Sequence, residues 1–136
     1  MGRKDFERAN CVRVLLGETD GSTDETAELS CNVDDMTAED IAFAVRQLLE
    51  AGAKDVFTLP CGMKKSRPGT LITVLCDKNE SERFARLLFR HTSTIGVRET
   101  AVKRYVLDRR KETADTPFGV LERKISTGYG VSKSSI

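Results

Sequence analysis

Leu29-Ser30-Cys31-Asn32-Val33-Asp34-Asp35-Met36-Thr37-Ala38-Glu39-Asp40-Ile41 contains the change of period that decides the fold. Leu29, Cys31 and Val33 alternate with polar neighbours, the pattern of a half-buried strand. At Thr37 the period changes: a hydroxyl stands where a helix N-cap is needed, and Glu39 and Asp40 suit the positive end of the helix dipole. Ile41, Val45, Leu48 and Leu49 then form a helical stripe that runs out at Gly52. Asp34-Asp35 is therefore the joint between a strand and a helix.

Beyond that joint, residues 54–63 read as extended, Pro68-Gly69 as a turn and Leu71–Cys76 as an apolar strand. Asn79 and Glu82 have capping-box spacing for a second helix whose inner face is Phe84, Leu87 and Leu88. A long β-like run from Ile95 to Leu107 follows, then a turn at Thr116-Pro117 and a strand over Val120–Ile125. Before the joint, residues 11–16 read as a short strand and Glu18–Glu25 as a flexible acidic connector. The order βαββαβ predicts an α+β, ferredoxin-like sandwich with additional strands at its N- and C-terminal ends. The expected division is an N-terminal strand and linker over 1–26, the ferredoxin-like domain over 27–126, and a loose Gly/Ser-rich tail over 127–136.

The 136 residues suffice for one domain with a real core. A formal net charge of +1 argues against a dedicated nucleic-acid surface, without excluding a local basic pocket. No apolar run approaches the roughly 20 residues needed to span a bilayer, and the first residues show no secretion signal. The expectation is a cytoplasmic protein with neither a nucleic-acid nor a membrane partner. Cys11, Cys31, Cys61 and Cys76 include no C-x-x-C pair, which fits neither a zinc knuckle nor a redox motif. Cys31 and Cys76 read as buried strand thiols. Cys61 stands three residues before a basic loop.

A βαββαβ chain brings three connections to one edge of its sheet. Here they are the Asp34-Asp35 joint, the Lys64–Gly69 hairpin and the Thr92–Arg98 link. Paired carboxylates can hold a hard cation; clustered Lys and Arg can hold phosphates. The first helix points its N-terminal amides at the same edge. The simplest joint ligand is a metal-bound polyphosphate. Each piece also has a plainer reading. The aspartates can compensate the dipole, the lysines can be a solvated hairpin tip, and the Thr-Ser-Thr-Ile-Gly run can be a connection needing hydroxyl bonds and a Gly backbone. Arg98, Lys103 and Arg104 can guard an exposed strand. His91 ends the second helix, where a cation suits the dipole.

Four runs, Asn32–Thr37, Ala51–Phe57, Met63–Thr70 and Thr94–Arg98, occur in an order and spacing that resembles the C-terminal domain of the LarC family. Those are nickel-insertion proteins for the nickel-pincer nucleotide cofactor of lactate racemase. The resemblance runs from about Cys11 to Gly128–Gly130. It implies a CTP-dependent cyclometallase of the lyase class, which places nickel into a pyridinium bis-thiocarboxylate mononucleotide. It also implies that this domain binds CTP with Mg2+ or Mn2+ and forms a homo-oligomer, trimeric or hexameric. Carried over, Asp34 and Asp35 match the cation motif, and Lys64, Lys65 and Arg67 match the motif that grips triphosphate. Thr94 and Arg98 match a third motif that completes the phosphate site or contacts the sugar, and Arg104 follows on the next strand. No catalytic residue is assigned. The family's larger N-terminal domain is missing, so the chain reads as a domain of a longer protein, and full nickel insertion is not expected of this piece alone. The alternative is a non-catalytic module that binds a small ligand for regulation or serves oligomerisation. RNA binding is disfavoured because Leu29–Val33 and Leu71–Cys76 carry no aromatic residue.

Overall fold

A computed structural model describes residues 21–135. The strand expected over 11–16 lies outside the described residues. The described residues form two compact units: Glu25–Lys103, and a second made of residues 21–24 and 104–135.

In the Glu25–Lys103 unit the order is β1 (Ser22–Val33), α1 (Ala38–Glu50), β2 (Asp55–Met63), β3 (Arg67–Asp77), α2 (Ser81–His91) and β4 (Arg98–Val106). The sheet order β2-β3-β1-β4, with β1 and β2 both antiparallel to β3, is the ferredoxin-like arrangement predicted from the sequence. Pleating sends Ala27, Leu29, Cys31 and Val33 of β1 to one face, beside Ile72, Val74 and Cys76 of β3. Leu48 of α1 and Phe84 and Leu88 of α2 join that same core cluster. Each side chain of this size, fully withdrawn from water, contributes about 1.5–3 kcal/mol.

Thr37 caps α1 as expected: its Oγ1 accepts the Asp40 amide at 3.0 Å. The helix closes in a Schellman turn, with Ala53 N bonded to Leu48 O at 3.2 Å and Gly52 N to Leu49 O at 3.1 Å. Gly52 takes φ 103°, which a side chain would strain.

Several local expectations change. Ala44 is buried, whereas Leu49 of the expected stripe is 47% exposed. Asn79 does not cap α2. It lies inside a 3-10 turn, Lys78–Glu80, that runs directly into the helix, and no side chain caps its start. Pro68 and Gly69 are not the hairpin turn but strand residues, paired with Gly62 and Cys61. The turn is Lys64–Ser66. Pro68 is tolerated because the β1–β3 pairing ends at Val33–Thr70, leaving that stretch of β3 as an edge.

The second unit carries an antiparallel sheet of β5 (Asp108–Thr116), β6 (Gly119–Gly128) and β7 (Val131–Ser135), in that order. Residues 131–135, expected as loose tail, pair with β6 from Gly128–Val131 to Lys124–Ser135. At the other end of the chain, β1 already begins at Ser22, inside the expected flexible connector.

Candidate functional site

The βαββαβ order works on the rim as the topology dictates: the end of β1, the β2–β3 hairpin and the α2–β4 link meet. Two contacts demonstrate it. Arg67 Nε lies 3.0 Å from Asp34 Oδ2, and Ser93 Oγ donates to Asp35 Oδ1. Each aspartate is thus tied to a different neighbouring connection.

Between the first two connections lies an open cavity of about 510 Å3, lined by Asn32, Asp34, Met63, Lys64, Lys65 and Arg67. Its shape rests on the hairpin. Lys65 and Ser66 both adopt left-handed backbone, at φ 62° and 59°, a conformation that costs non-glycine residues roughly 1–2 kcal/mol each. Residues held this way cluster at ligand sites. Gly69 is required by close approach. A Cβ there would fall 2.3 Å from Met63 Sδ and 2.8 Å from the Val33 carbonyl oxygen. Opposite Gly69 in the β2–β3 ladder, Cys61 Sγ accepts from Asn32 Nδ2 at 3.4 Å.

In the third connection the hydroxyls hold the loop itself. Thr92 Oγ1 donates to Leu88 O at 2.7 Å and accepts the Thr94 amide at 3.2 Å. Thr94 Oγ1 donates to Gly96 O at 2.7 Å and accepts from Gly96 N at 3.3 Å. Arg98 opens β4 with an exposed side chain. His91 and Phe43 make a T-shaped ring contact, with centroids 6.1 Å apart and planes at 71°.

Of the residues singled out in the sequence, Asp34, Lys64, Lys65 and Arg67 share the cavity, and Asp35 is bonded to the adjoining loop. Thr94 serves its own loop. Arg104 belongs to the second unit, where it makes a bidentate ion pair with Asp24, Nη2–Oδ2 2.7 Å and Nε–Oδ1 3.1 Å. Asn32, Met63 and Ser93 were not singled out. Asn32 and Met63 open the runs Asn32–Thr37 and Met63–Thr70, Ser93 lies within Thr92–Arg98, and Gly69, whose missing Cβ leaves room for Met63, was read only as a turn residue.

Among the described residues no group of three or more His, Cys, Asp and Glu is placed to enclose a metal ion. The rim can give a cation at most two carboxylates. Mg2+ is ordinarily held by one or two carboxylates together with phosphate oxygens and water, so the donor set suits a metal that arrives with a phosphate and not a metal cage made by the protein alone. Cys31, close to the rim, is withdrawn from that chemistry. Burial pushes its thiol pKa up, against smaller opposing effects of Thr92, Thr94 and Arg98.

The structure is an α+β domain of ferredoxin-like type, with cations and carboxylates facing each other across one sheet edge. The particular family follows from comparison: the chain belongs to the nickel insertion protein family, whose model matches residues 1–136. It is 40% identical over 129 residues to the pyridinium-3,5-bisthiocarboxylic acid mononucleotide nickel insertion protein of Acetivibrio thermocellus, covering 93% of this chain and 32% of that protein. It is 42% identical over 113 residues to a putative nickel insertion protein of Enterococcus faecalis, covering 83% of this chain and 35% of that protein. The chain therefore spans about a third of the length of these curated relatives. Among solved structures it resembles LarC2, the C-terminal domain of a cyclometallase involved in synthesis of the NPN cofactor of lactate racemase, in its apo form. That match has a TM-score of 0.78 and 37% identity over 83% of this chain and 78% of the other. Protein MK0293 from Methanopyrus kandleri shares the fold at TM-score 0.63 and 22% identity, over 83% of this chain and 69% of that one.

Proposed function

We propose that this domain binds CTP together with a divalent cation at the rim, within a nickel-insertion protein that acts on the pyridinium bis-thiocarboxylate mononucleotide. The observation that carries the reading is the opposed charge at one cavity: Lys64, Lys65 and Arg67 on the hairpin, and Asp34 across from them. A bare triphosphate would be repelled by Asp34 and Asp35; a cation bound between them removes that repulsion and makes the carboxylates useful. Lys64 and Lys65 hold phosphate as point charges, and Arg67 exchanges its carboxylate for phosphate oxygens of like geometry.

Thr94 and Arg98 complete the site from the third connection, Thr94 by fixing the loop and Arg98 by charge. Arg104 acts in the second unit. When bound, the cation neutralises phosphate charge and polarises the phosphoryl oxygens; the protein residues orient and neutralise, and none is assigned to proton transfer. Nickel is the substrate metal of the longer protein, whose cyclometallase activity, cytoplasmic setting and trimeric or hexameric assembly belong to this same reading.

The test is electron paramagnetic resonance of Mn2+. The domain alone should leave the six-line signal of the aqueous ion nearly intact, and domain with CTP should quench it beyond what CTP does. A signal equally quenched without nucleotide, or not quenched further by the domain, would sink the reading.

A further inference from the structure

One face of the three-stranded sheet gathers cations in a way that ordinary sheet packing disfavours. Arg109, Ser126 and Lys133 are in register across β5, β6 and β7, and Lys111, Lys124 and Ser135 form the next row. Residues in register share a face, and rows two residues apart repeat on it about 7 Å away. Four cations therefore stand together with two hydroxyls. Lys111 lies directly opposite Lys124, a like-charge pairing that weakens a ribbon.

The other face of the same ribbon behaves differently. There Arg110 and Arg123 both reach Glu112, at 3.2 and 3.4 Å. On the cationic face, Arg109, Lys111, Lys124 and Lys133 have no ion pair among the described residues. The nearest acid on that face, Glu122, belongs to the following row, opposite Thr113. Arg109, Ser126 and Lys133 also line a cavity of about 410 Å3, together with Arg104, Val106 and Asp24. Asp24 is the bidentate partner of Arg104 there, so it leaves the charge of the four cations uncancelled.

We infer that this face is a second anion site, separate from the rim, which takes a diphosphate-bearing small molecule. Four cations and two hydroxyls present more positive charge and more donors than a single phosphate can use, while a diphosphate carries the charge and the oxygens to meet both rows. The hydroxyls of Ser126 and Ser135 donate to phosphoryl oxygens between the cations. The Lys111–Lys124 repulsion, unfavourable in the empty ribbon, becomes favourable once an anion lies between them.

The probe is inorganic pyrophosphate, titrated into the Arg67→Ala chain so that loss of the rim site cannot be mistaken for loss of this one. Backbone amide resonances of Arg109, Lys111, Lys124 and Ser126 should shift saturably. The double variant Lys111→Gln/Lys124→Gln, made in the same background, should bind at least tenfold more weakly. Lys111→Glu, which gives Lys124 a cross-strand partner and so preserves the fold, should abolish the shifts. Absent or non-saturating shifts, or shifts unchanged in either variant, would overturn the inference.

Discussion

Arg67 and Asp34 hold each other: Nε and Oδ2 are 3.0 Å apart, with the carboxylate mostly shielded and the guanidinium half open to solvent. The cation read as a phosphate ligand and the acid read as a metal ligand thus form one pair, which a metal-bound phosphate would separate and satisfy at both ends. As a partly exposed ion pair it contributes only about 0–1 kcal/mol to stability. Its main consequence concerns binding.

Asp34→Asn should therefore tighten CTP binding several-fold when metal is chelated away, because it removes a repelling charge and frees Arg67. The same change should reduce the gain from added Mg2+. Fluorescence competition with a labelled nucleotide, with and without chelator, measures both effects.

Lys65→Ala and Arg67→Ala should each remove a charge-assisted phosphate contact. The expected loss is about 1.5–3 kcal/mol, or roughly ten- to a hundredfold in affinity. Lys65→Gly separates the backbone effect from the charge. It relieves the φ 62° strain, so it should bind as poorly as the alanine variant while melting higher.

Stability should follow burial within each helix. Phe84→Ala empties a fully buried position and is expected to cost about 3–5 kcal/mol. Leu49→Ala, at an exposed position, should stay within about 0.5 kcal/mol. Thr37→Ala removes the bond to the Asp40 amide, for about 1 kcal/mol. Urea denaturation followed by circular dichroism ranks the three.

Thiol chemistry gives a prediction with a pH sign. Desolvation raises the pKa of Cys31 and, with the nearby acids Glu80, Asp77 and Glu99, that of Cys76. A thiol whose folded pKa is raised contributes stability that is complete below its unfolded value, about 8.5, and is lost as pH rises through the folded value. Stability should fall above about pH 8.5, and less so in Cys31→Ala measured against its own neutral-pH value. Iodoacetamide under native conditions should label Cys61, the partly exposed thiol beside Asn32, well before Cys31 or Cys76.

The sheet order was legible because the period changes at Thr37 and again after Cys76, and because βαββαβ connectivity leaves few ways to pack two helices. The convergence of Asp34, Asp35 and Arg67 follows from that order alone. Finer features depend on contacts the local sequence does not show. The hairpin turn was misplaced because Pro68-Gly69 has turn chemistry, whereas Gly69 answers to Met63 Sδ and the Val33 carbonyl. The left-handed turn uses Lys65 and Ser66, which carry no such signal. Strand β7, with no buried side chain, has no hydrophobic alternation to announce it and is defined by its pairing with β6.

Calorimetric titration of CTP into the wild-type domain and Asp35→Asn, each with and without Mg2+, decides whether the carboxylates serve a cation shared with a triphosphate. The account predicts that Mg2+ strengthens CTP binding to the wild type at least tenfold, and that Asp35→Asn loses most of that gain while retaining metal-free binding. If Asp35→Asn left both the CTP affinity and its dependence on Mg2+ unchanged, the two aspartates would be structural residues of the β1–α1 joint and the account would be contradicted.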